Sequence, residues 1–214
     1  MKIALFGGTG PTGAHIIEEA LRQGYESSVY TRNAAKLSAF DGKIEIVVGD
    51  LNNREAIRAC IQGADAVISA LGPNSLKARE KRPIMRGVST IISVMEELKV
   101  RRIIQISTAN YRDPKDGFDF KSRAFVTLFK LIVPKAQDDI KATAELVSNS
   151  RLDWTLVRIP NLKDGTATGQ VDVGWYGKTK LGMKLSRGSL AKFLVDQVAG
   201  KEYIRAAPAI ADHI

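Results

Sequence analysis

Short apolar runs alternate with longer amphipathic stretches along most of this chain. The runs predict β-strands at 2–6, 27–31, 44–48, 64–69, 102–106 and 153–158, with a final strand at 203–207. Apolar residues at helical spacing predict helices at 14–23, 54–61, 84–98, 138–149 and 190–198. Because strands separated by helix-length segments imply right-handed crossovers, the pattern predicts an α/β fold of the Rossmann type, with a doubly wound parallel sheet in a single compact domain.

The pattern loosens between residues 110 and 137. Residues 112–117 are typical of a turn, and residues 120–133 mix aromatic with basic side chains, so we interpret 110–137 as an insertion near the strand ends. We expect residues 160–214 to form a small C-terminal portion on the substrate side. Both belong to one domain that spans residues 1–214.

The composition is that of an ordinary globular protein, with 44% hydrophobic and 26% charged residues. No apolar run is long enough to span a bilayer or to form the core of a signal peptide, so we expect a cytoplasmic protein with no membrane partner. Cys60 is the only cysteine, which excludes an intramolecular disulfide and the usual cysteine-rich metal sites. We therefore predict no metal.

The charge of the chain favours anionic ligands, because the formal net charge is +9 and the pI is near 9.7. A phosphate-rich cofactor satisfies this preference. Nucleic acid is disfavoured, since the basic residues are spread along the chain and only 7% of residues are aromatic.

The first strand runs directly into a glycine-spaced turn that is followed by a helical pattern. The turn consists of Gly7, Gly8, Thr9, Gly10, Pro11, Thr12 and Gly13. Glycines at such a turn let the backbone approach a pyrophosphate, and the following helix presents unpaired N–H groups and its positive dipole end to the phosphates. The order of strand, turn and helix therefore predicts that these seven residues bind a dinucleotide.

The end of the second strand favours NADP(H) over NAD(H). An NAD site usually has an acidic residue here to accept the ribose 2′-hydroxyl, whereas a 2′-phosphate needs a cation. This chain has Arg32, with Lys36 one helical turn further on. The alternative is that both belong to a solvated basic face.

The next two strand ends supply further candidate cofactor contacts. Asp50, followed by Leu51, could accept a hydrogen bond from the adenine amino group or could cap the next helix. After the fourth strand, Leu71, Gly72 and Pro73 would let the backbone approach the ribose and pyrophosphate, although a plain turn explains the same residues.

After the fifth strand, the hydroxyl of Ser107 is predicted to point into the cleft where a nicotinamide should lie. It could bind the carboxamide or a substrate carbonyl, or it could simply cap the strand end. We interpret Tyr111 as a surface aromatic residue on the insertion rather than as a proton donor.

Taken together, these residues resemble the atypical short-chain dehydrogenase/reductases with an NAD(P)H-binding, NmrA-like domain, most closely the small flavin reductase/biliverdin-IXβ reductase group. The resemblance runs nearly end to end. Besides the glycine turn, it rests on residues 30–32, 48–51, 66–72, 106–107, 113–114, 152–162, 165–169 and 186–187. It implies a small-molecule acceptor, a cofactor contact at Pro160, and Asn161 lining the catalytic site.

The chain departs from the usual short-chain dehydrogenase pattern at the proton donor. The resemblance aligns Lys141 with the catalytic lysine, but Gln137 then stands where the tyrosine belongs. Gln137 cannot donate a catalytic proton, so ketone reduction of the usual type is disfavoured. A conjugated acceptor escapes the objection because the charge left by the hydride is delocalised.

Three functions follow from this interpretation. The first is an NADPH-dependent reductase of a flavin, a quinone or a linear tetrapyrrole, with Ser107, Lys141 and Asn161 as its catalytic residues. The second is a redox-sensing regulator that binds NADP(H) without turnover. The third, an enzyme with a nucleotide-sugar substrate, is disfavoured because little chain remains for a substrate domain.

Overall fold

Strands and helices alternate as far as the sixth strand of the fold. The computed structural model describes residues 1–72 and 82–213. The strands are β1 (Lys2–Phe6), β2 (Glu26–Thr31), β3 (Glu45–Val48), β4 (Ala66–Ser69), β5 (Arg102–Thr108), β6 (Asp153–Ile159), β7 (Asn161–Lys163), β8 (Val171–Gly174), β9 (Lys184–Ser186) and β10 (Ala209–Asp212). The helices are α1 (Gly13–Arg22), α2 (Arg54–Ile61), α3 (Pro83–Glu97), α4 (Phe120–Ile132), α5 (Pro134–Ser148) and α6 (Arg187–Ala199), with a 3-10 helix at Ala34–Phe40.

The strands of the main sheet lie in the order β3-β2-β1-β4-β5-β6-β10-β8. The first six are parallel and have the order 3-2-1-4-5-6 of a doubly wound nucleotide-binding sheet. This confirms the predicted Rossmann-type fold. The strand order reverses between β1 and β4, so a cleft opens there outside the carboxyl ends of the strands.

The central strands β1, β2, β4, β5 and β6 bury both of their faces, because helices cover both sides of the sheet. In β1, Ala4 and Phe6 pack toward α2, α3 and α5, whereas Ile3 and Leu5 pack toward α1 and α6. This alternation follows from the two-residue period of a strand. The two apolar layers hold the strand ends in fixed positions beneath the cleft.

The C-terminal end of the sheet differs from the prediction. Residues 203–207 are not a continuous strand, because residues 202–205 form a turn in which Arg205 is left-handed (φ 54°), and Ala206 forms an isolated parallel bridge to Thr155 of β6. The last strand begins only after Pro208, as β10, and β8 pairs antiparallel to it. The sheet is therefore mixed at this edge rather than wholly parallel.

The proposed insertion at 110–137 contains a turn followed by α4, which sequence periodicity did not predict. α5 also begins at Pro134, four residues before the predicted start at 138. The division into an insertion and a C-terminal substrate-side portion, 160–214, stays a prediction. In the described ranges, no helix combines the length and apolarity needed to cross a membrane.

Candidate functional site

The glycine turn is held by close backbone contacts that exclude side chains. A Cβ on Gly13 would lie 2.1 Å from the carbonyl oxygen of Gly8, and one on Gly8 would lie 2.4 Å from Cγ1 of Val29. Gly7 has a positive φ of 94°, and a Cβ there would meet the backbone of Ala70 at 2.8 Å. These three glycines therefore bring β1, β2, β4 and the start of α1 together.

Gly10 is different, because an added Cβ would meet only the carbonyl oxygen of Gly7, at 3.3 Å. The space above it opens into a cavity. The first turn of α1 contains no acidic residue, and the side chain of Thr12 does not cap it. Its N–H groups are therefore free of a side-chain acceptor and fit a phosphate.

A cavity of about 1130 Å³ runs along the carboxyl ends of β1, β2, β3 and β4. This volume is at the upper end of the range for ligand sites, as a dinucleotide requires. Ten residues predicted to bind the cofactor line it: Gly7, Thr9, Gly10, Pro11, Arg32, Lys36, Asp50, Leu51, Leu71 and Gly72. Gly8, Thr12 and Gly13 are buried beneath it as scaffold. Pro73 lies outside the described residues.

Two cations stand at the β2 end of this cavity. Arg32 follows β2 directly, and Lys36 lies in the 3-10 helix that the side chain of Asn33 caps. Both are exposed, and neither forms an ion pair with any residue in the described ranges. No described residue therefore neutralises the positive charges of Arg32 and Lys36.

Asp50 forms a local turn rather than a helix cap. Its Oδ1 accepts from the N–H of Asn52 at 2.8 Å, whereas Asn53 caps α2 by accepting from Ala56. The hydroxyl of Tyr30 donates to the Asp50 carbonyl at 2.7 Å and so fixes the loop against β2. Burial raises the pKa of Tyr30 to about 12, which keeps this hydroxyl protonated.

The opposite wall comes from the first turns of α3 and α5, which sequence analysis did not assign to the site. Asp139 accepts from the N–H groups of Ile84 and Met85, at 3.0 and 2.9 Å, and thereby caps α3. Arg82 donates two hydrogen bonds to Asp138, and Lys135 also lines the cavity. The prolines at positions 83 and 134 signalled both helix starts.

Ser107 is buried on the side of β5 that faces α5, and its hydroxyl has no hydrogen-bond partner in the described structure. Four further buried side chains on this side of the sheet or on α5 have an unpartnered oxygen: Ser69, Gln105, Gln137 and Thr143. A buried hydroxyl without a partner is costly in a core, so Ser107 remains a candidate for function. It does not line the large cavity.

The other predicted catalytic residues lie away from the large cavity. Lys141 is exposed and pairs with Glu145 at 3.5 Å, and Asn161 is exposed on β7. Pro160 is half-buried beside Asn161, and Tyr111 packs partly into the apolar core. The geometry brings none of them to the cavity wall, and their roles stay predictions.

A smaller cavity of about 330 Å³ lies beyond the end of β5, between that strand end, α4 and Tyr176. A buried ion pair supports it, in which Arg158 donates to Asp116 at 2.6 and 2.8 Å. The guanidinium of Arg158 also lies 4.7 Å from the ring centre of Tyr176. Burial raises the pKa of Tyr176 to about 12, so this phenol is a poor acid.

Sequence analysis missed this second cavity. Asp116 was part of a predicted turn and Arg158 part of a predicted strand, with 42 positions between them. The Asp113-Pro114 pair was the available signal. Asp113 is buried and accepts from the N–H of Ala207 at 2.8 Å, which fixes the loop that carries Asp116.

Comparison with known proteins agrees with this geometry. The family of NAD(P)H-binding proteins matches residues 7–201. The photosystem II assembly factor Ycf39 of Trieres chinensis is 30% identical over 51% of this chain and 35% of its own length. Across the first curated relatives, the chain spans between a quarter and about a third of the relative's length.

Solved structures share the whole fold at low identity. ChuY, an anaerobillin reductase from Escherichia coli O157:H7, superposes with a TM-score of 0.79 at 18% identity, covering 99% of this chain and 97% of its own. A short-chain dehydrogenase/reductase of Veillonella parvula, in complex with NADP, has a TM-score of 0.78 at 13% identity and covers 99% and 94%. The family match extends over nearly the whole chain, so the chain belongs to the NAD(P)H-binding family.

Proposed function

We propose that this member of the NAD(P)H-binding family is an NADPH-dependent reductase of a planar conjugated acceptor, such as a flavin, a quinone or a linear tetrapyrrole. The observation that carries the proposal is the large cavity, which joins the glycine turn to two cations, Arg32 and Lys36, that form no ion pair with any described residue. NADPH supplies the hydride. The protein supplies its placement and a site for the acceptor.

The cofactor would lie along the carboxyl ends of the strands. Gly10 and the first N–H groups of α1 would hold the pyrophosphate, and Arg32 and Lys36 would hold the 2′-phosphate. The carboxylate of Asp50 would accept a hydrogen bond from the adenine amino group. Leu71 and Gly72 would lie beside the ribose, toward the wall formed by α3 and α5.

The nature of the acceptor is inferred from the acids near the two cavities. Tyr30 is engaged with the Asp50 carbonyl, and Tyr176 is buried on Arg158, with a pKa of about 12 for each phenol. Neither suits the protonation of an alkoxide near neutral pH. An acceptor whose ring system delocalises the incoming charge does not need such an acid.

We place the acceptor in the smaller cavity at the end of β5. Asn110 lines this cavity and donates to the carbonyl of Gln137 at 2.8 Å, which ties the cavity to α5. Ser107 lies three residues earlier on β5 and would orient either the nicotinamide or the acceptor. That ChuY is named a reductase of anaerobillin supports a conjugated substrate class for this fold.

The experiment is NADPH oxidation by the purified protein with FMN, a quinone and a linear tetrapyrrole as separate acceptors, followed by stopped flow. A calorimetric titration with NADPH runs alongside. We expect NADPH binding and oxidation with at least one of the acceptors. Tight NADPH binding with no oxidation by any of them would contradict the reductase and favour the redox-sensing regulator.

A further inference from the structure

Helix α4 has the reverse of the usual amphipathic arrangement. Its half-buried side chains, Ser122 and Val126, line the smaller cavity together with Arg123 and Thr127. Four of its described large apolar side chains, Phe120, Leu128, Leu131 and Ile132, instead face solvent. In a globular protein the apolar stripe of a helix normally faces the core, so within the described structure these four side chains lack the usual cover.

The exposed apolar face of α4 is continuous. Phe120, Leu128 and Leu131 are spaced by eight and three positions, which places them on one side of the helix. Their exposed fractions are 73%, 56% and 77%, and Ile132 beside them is 64% exposed. No described side chain of α4 is buried. A contiguous patch of this kind marks an interaction surface.

The segment that carries this face is positively charged. Residues 118–135 contain Lys121, Arg123, Lys130 and Lys135, with Asp119 as the single acid. Arg123 lines the smaller cavity and Lys135 the large one, so Lys121 is the cation that lies beside the exposed apolar side chains. Asp119 caps the helix, accepting from the N–H of Ser122 at 3.0 Å. Lys121 lies on the apolar side, where its long stem can extend along apolar groups while the ammonium stays in water.

The geometry points to an anionic lipid bilayer surface as the partner of this face. Apolar residues with adjacent cations are what a helix needs to lie in the headgroup region of an acidic membrane. A second copy of the chain fits less well, because each copy carries a net charge of +9. The expectation of no membrane partner rested on the lack of a spanning segment, and surface binding requires none.

Vesicle flotation tests this inference with the full chain. We expect the protein to float with phosphatidylcholine vesicles that contain phosphatidylglycerol and not with pure phosphatidylcholine vesicles. Binding should weaken as the salt concentration rises, since the attraction between exposed charges is screened. Lack of binding to the acidic vesicles would overturn the inference, as would equal binding to both vesicle types.

Matched variants assign the binding to α4. Leu128→Glu combined with Leu131→Glu should reduce partition at least ~10-fold, because it places two anions on the face that enters the lipid. Met183→Glu is the control, since Met183 is 46% exposed outside α4. Both variants should keep their NADPH affinity and melting temperature.

If the double variant floats as well as the original chain, α4 is not the membrane contact. Sedimentation velocity provides the competing outcome. If the original chain forms a dimer and binds no vesicles, and the double variant is monomeric, the apolar face binds a second copy of the chain. That result would overturn the lipid proposal. Neither outcome depends on whether the protein oxidises NADPH.

Discussion

The large cavity, at the ends of β1 to β4, and the smaller cavity, beyond the end of β5, are held together by different kinds of contact. The first has a closely packed glycine turn in its wall, with Gly7 and Gly10 as examples, and residues that directly follow strands, such as Arg32. The second depends on side chains from distant segments, above all Asp116, Arg158 and Tyr176. A cofactor common to a family can be bound by backbone, whereas an acceptor is selected by side chains.

The comparison predicts that substitutions at the smaller cavity will change the stability of the protein without changing its affinity for NADPH. Substitutions at the large cavity will change the affinity for NADPH, with or without a change in stability.

Asp116→Asn should have the largest effect on stability. It leaves the guanidinium of Arg158 buried with a neutral partner, and breaking a buried ion pair costs about 3–5 kcal/mol. Chemical denaturation measures the free energy of unfolding. The affinity for NADPH should change less than about 2-fold, which corresponds to ~0.4 kcal/mol in the free energy of binding. Asp164→Asn is the control, because this surface carboxylate is 93% exposed. A large loss of NADPH affinity would remove the separation between the two cavities.

Gly13→Ala, at the glycine turn beneath the large cavity, should lower the stability of the protein. The new methyl group would overlap the Gly8 carbonyl oxygen, and overpacking of this kind costs about 1–3 kcal/mol. At Gly10 the new methyl group would meet only the Gly7 carbonyl oxygen, at 3.3 Å, so Gly10→Ala should lower the melting temperature much less than Gly13→Ala while weakening NADPH binding. Thermal melts and calorimetry of both variants check this. Equal stability loss at both positions would contradict the open space assigned to Gly10.

Arg32→Ala should weaken NADPH by about 10- to 100-fold, because a charge-assisted hydrogen bond contributes ~1.5–3 kcal/mol. NADH, which lacks the 2′-phosphate, should be nearly unaffected. Calorimetric titration with both cofactors measures the difference, with Lys43→Ala as an exposed control outside the cavity. If both cofactors weaken equally, Arg32 has no role at the 2′-phosphate.

Ser107→Ala should have the smallest effect on stability. The hydroxyl has no hydrogen-bond partner among the residues that the structure describes, so its removal should change the free energy of unfolding by less than about 1 kcal/mol or raise it. If Ser107 orients the nicotinamide or the acceptor, kcat should fall about 10-fold, which corresponds to ~1.4 kcal/mol. Unchanged kcat together with lower stability would make Ser107 a structural residue.

The same contrast explains what the sequence could predict. The glycine turn, Arg32 and Asp50 each sit immediately after a strand, and position relative to a strand end is a local property. The ion pair between Arg158 and Asp116 is not local, because it forms only after β6 and the loop after β5 have been brought together. Local patterns therefore predicted residues that line the large cavity, and did not predict the ion pair that supports the smaller one.

Two further cases concern Lys141 and the final strand. The resemblance aligned Lys141 with the catalytic lysine of the family; in the structure Lys141 is exposed on α5 and pairs with Glu145, so its role stays a prediction. The final strand was misplaced because residues 203–207 are suitable for a strand, whereas residues 202–205 form a turn with a left-handed Arg205. Pairing with β6 begins at the bridge between Ala206 and Thr155, and β10 itself starts at Ala209, so tertiary structure overrode a local preference there.

Helix α4 ends at Ile132 and helix α5 begins at Pro134, so Val133 alone separates them. The first turn of α5 lines the large cavity, and α4 carries the exposed apolar face. If membrane attachment changes the affinity for the cofactor, cofactor binding must change the affinity for the membrane by the same factor. The amount of cofactor bound would then set how much of the protein is at the membrane.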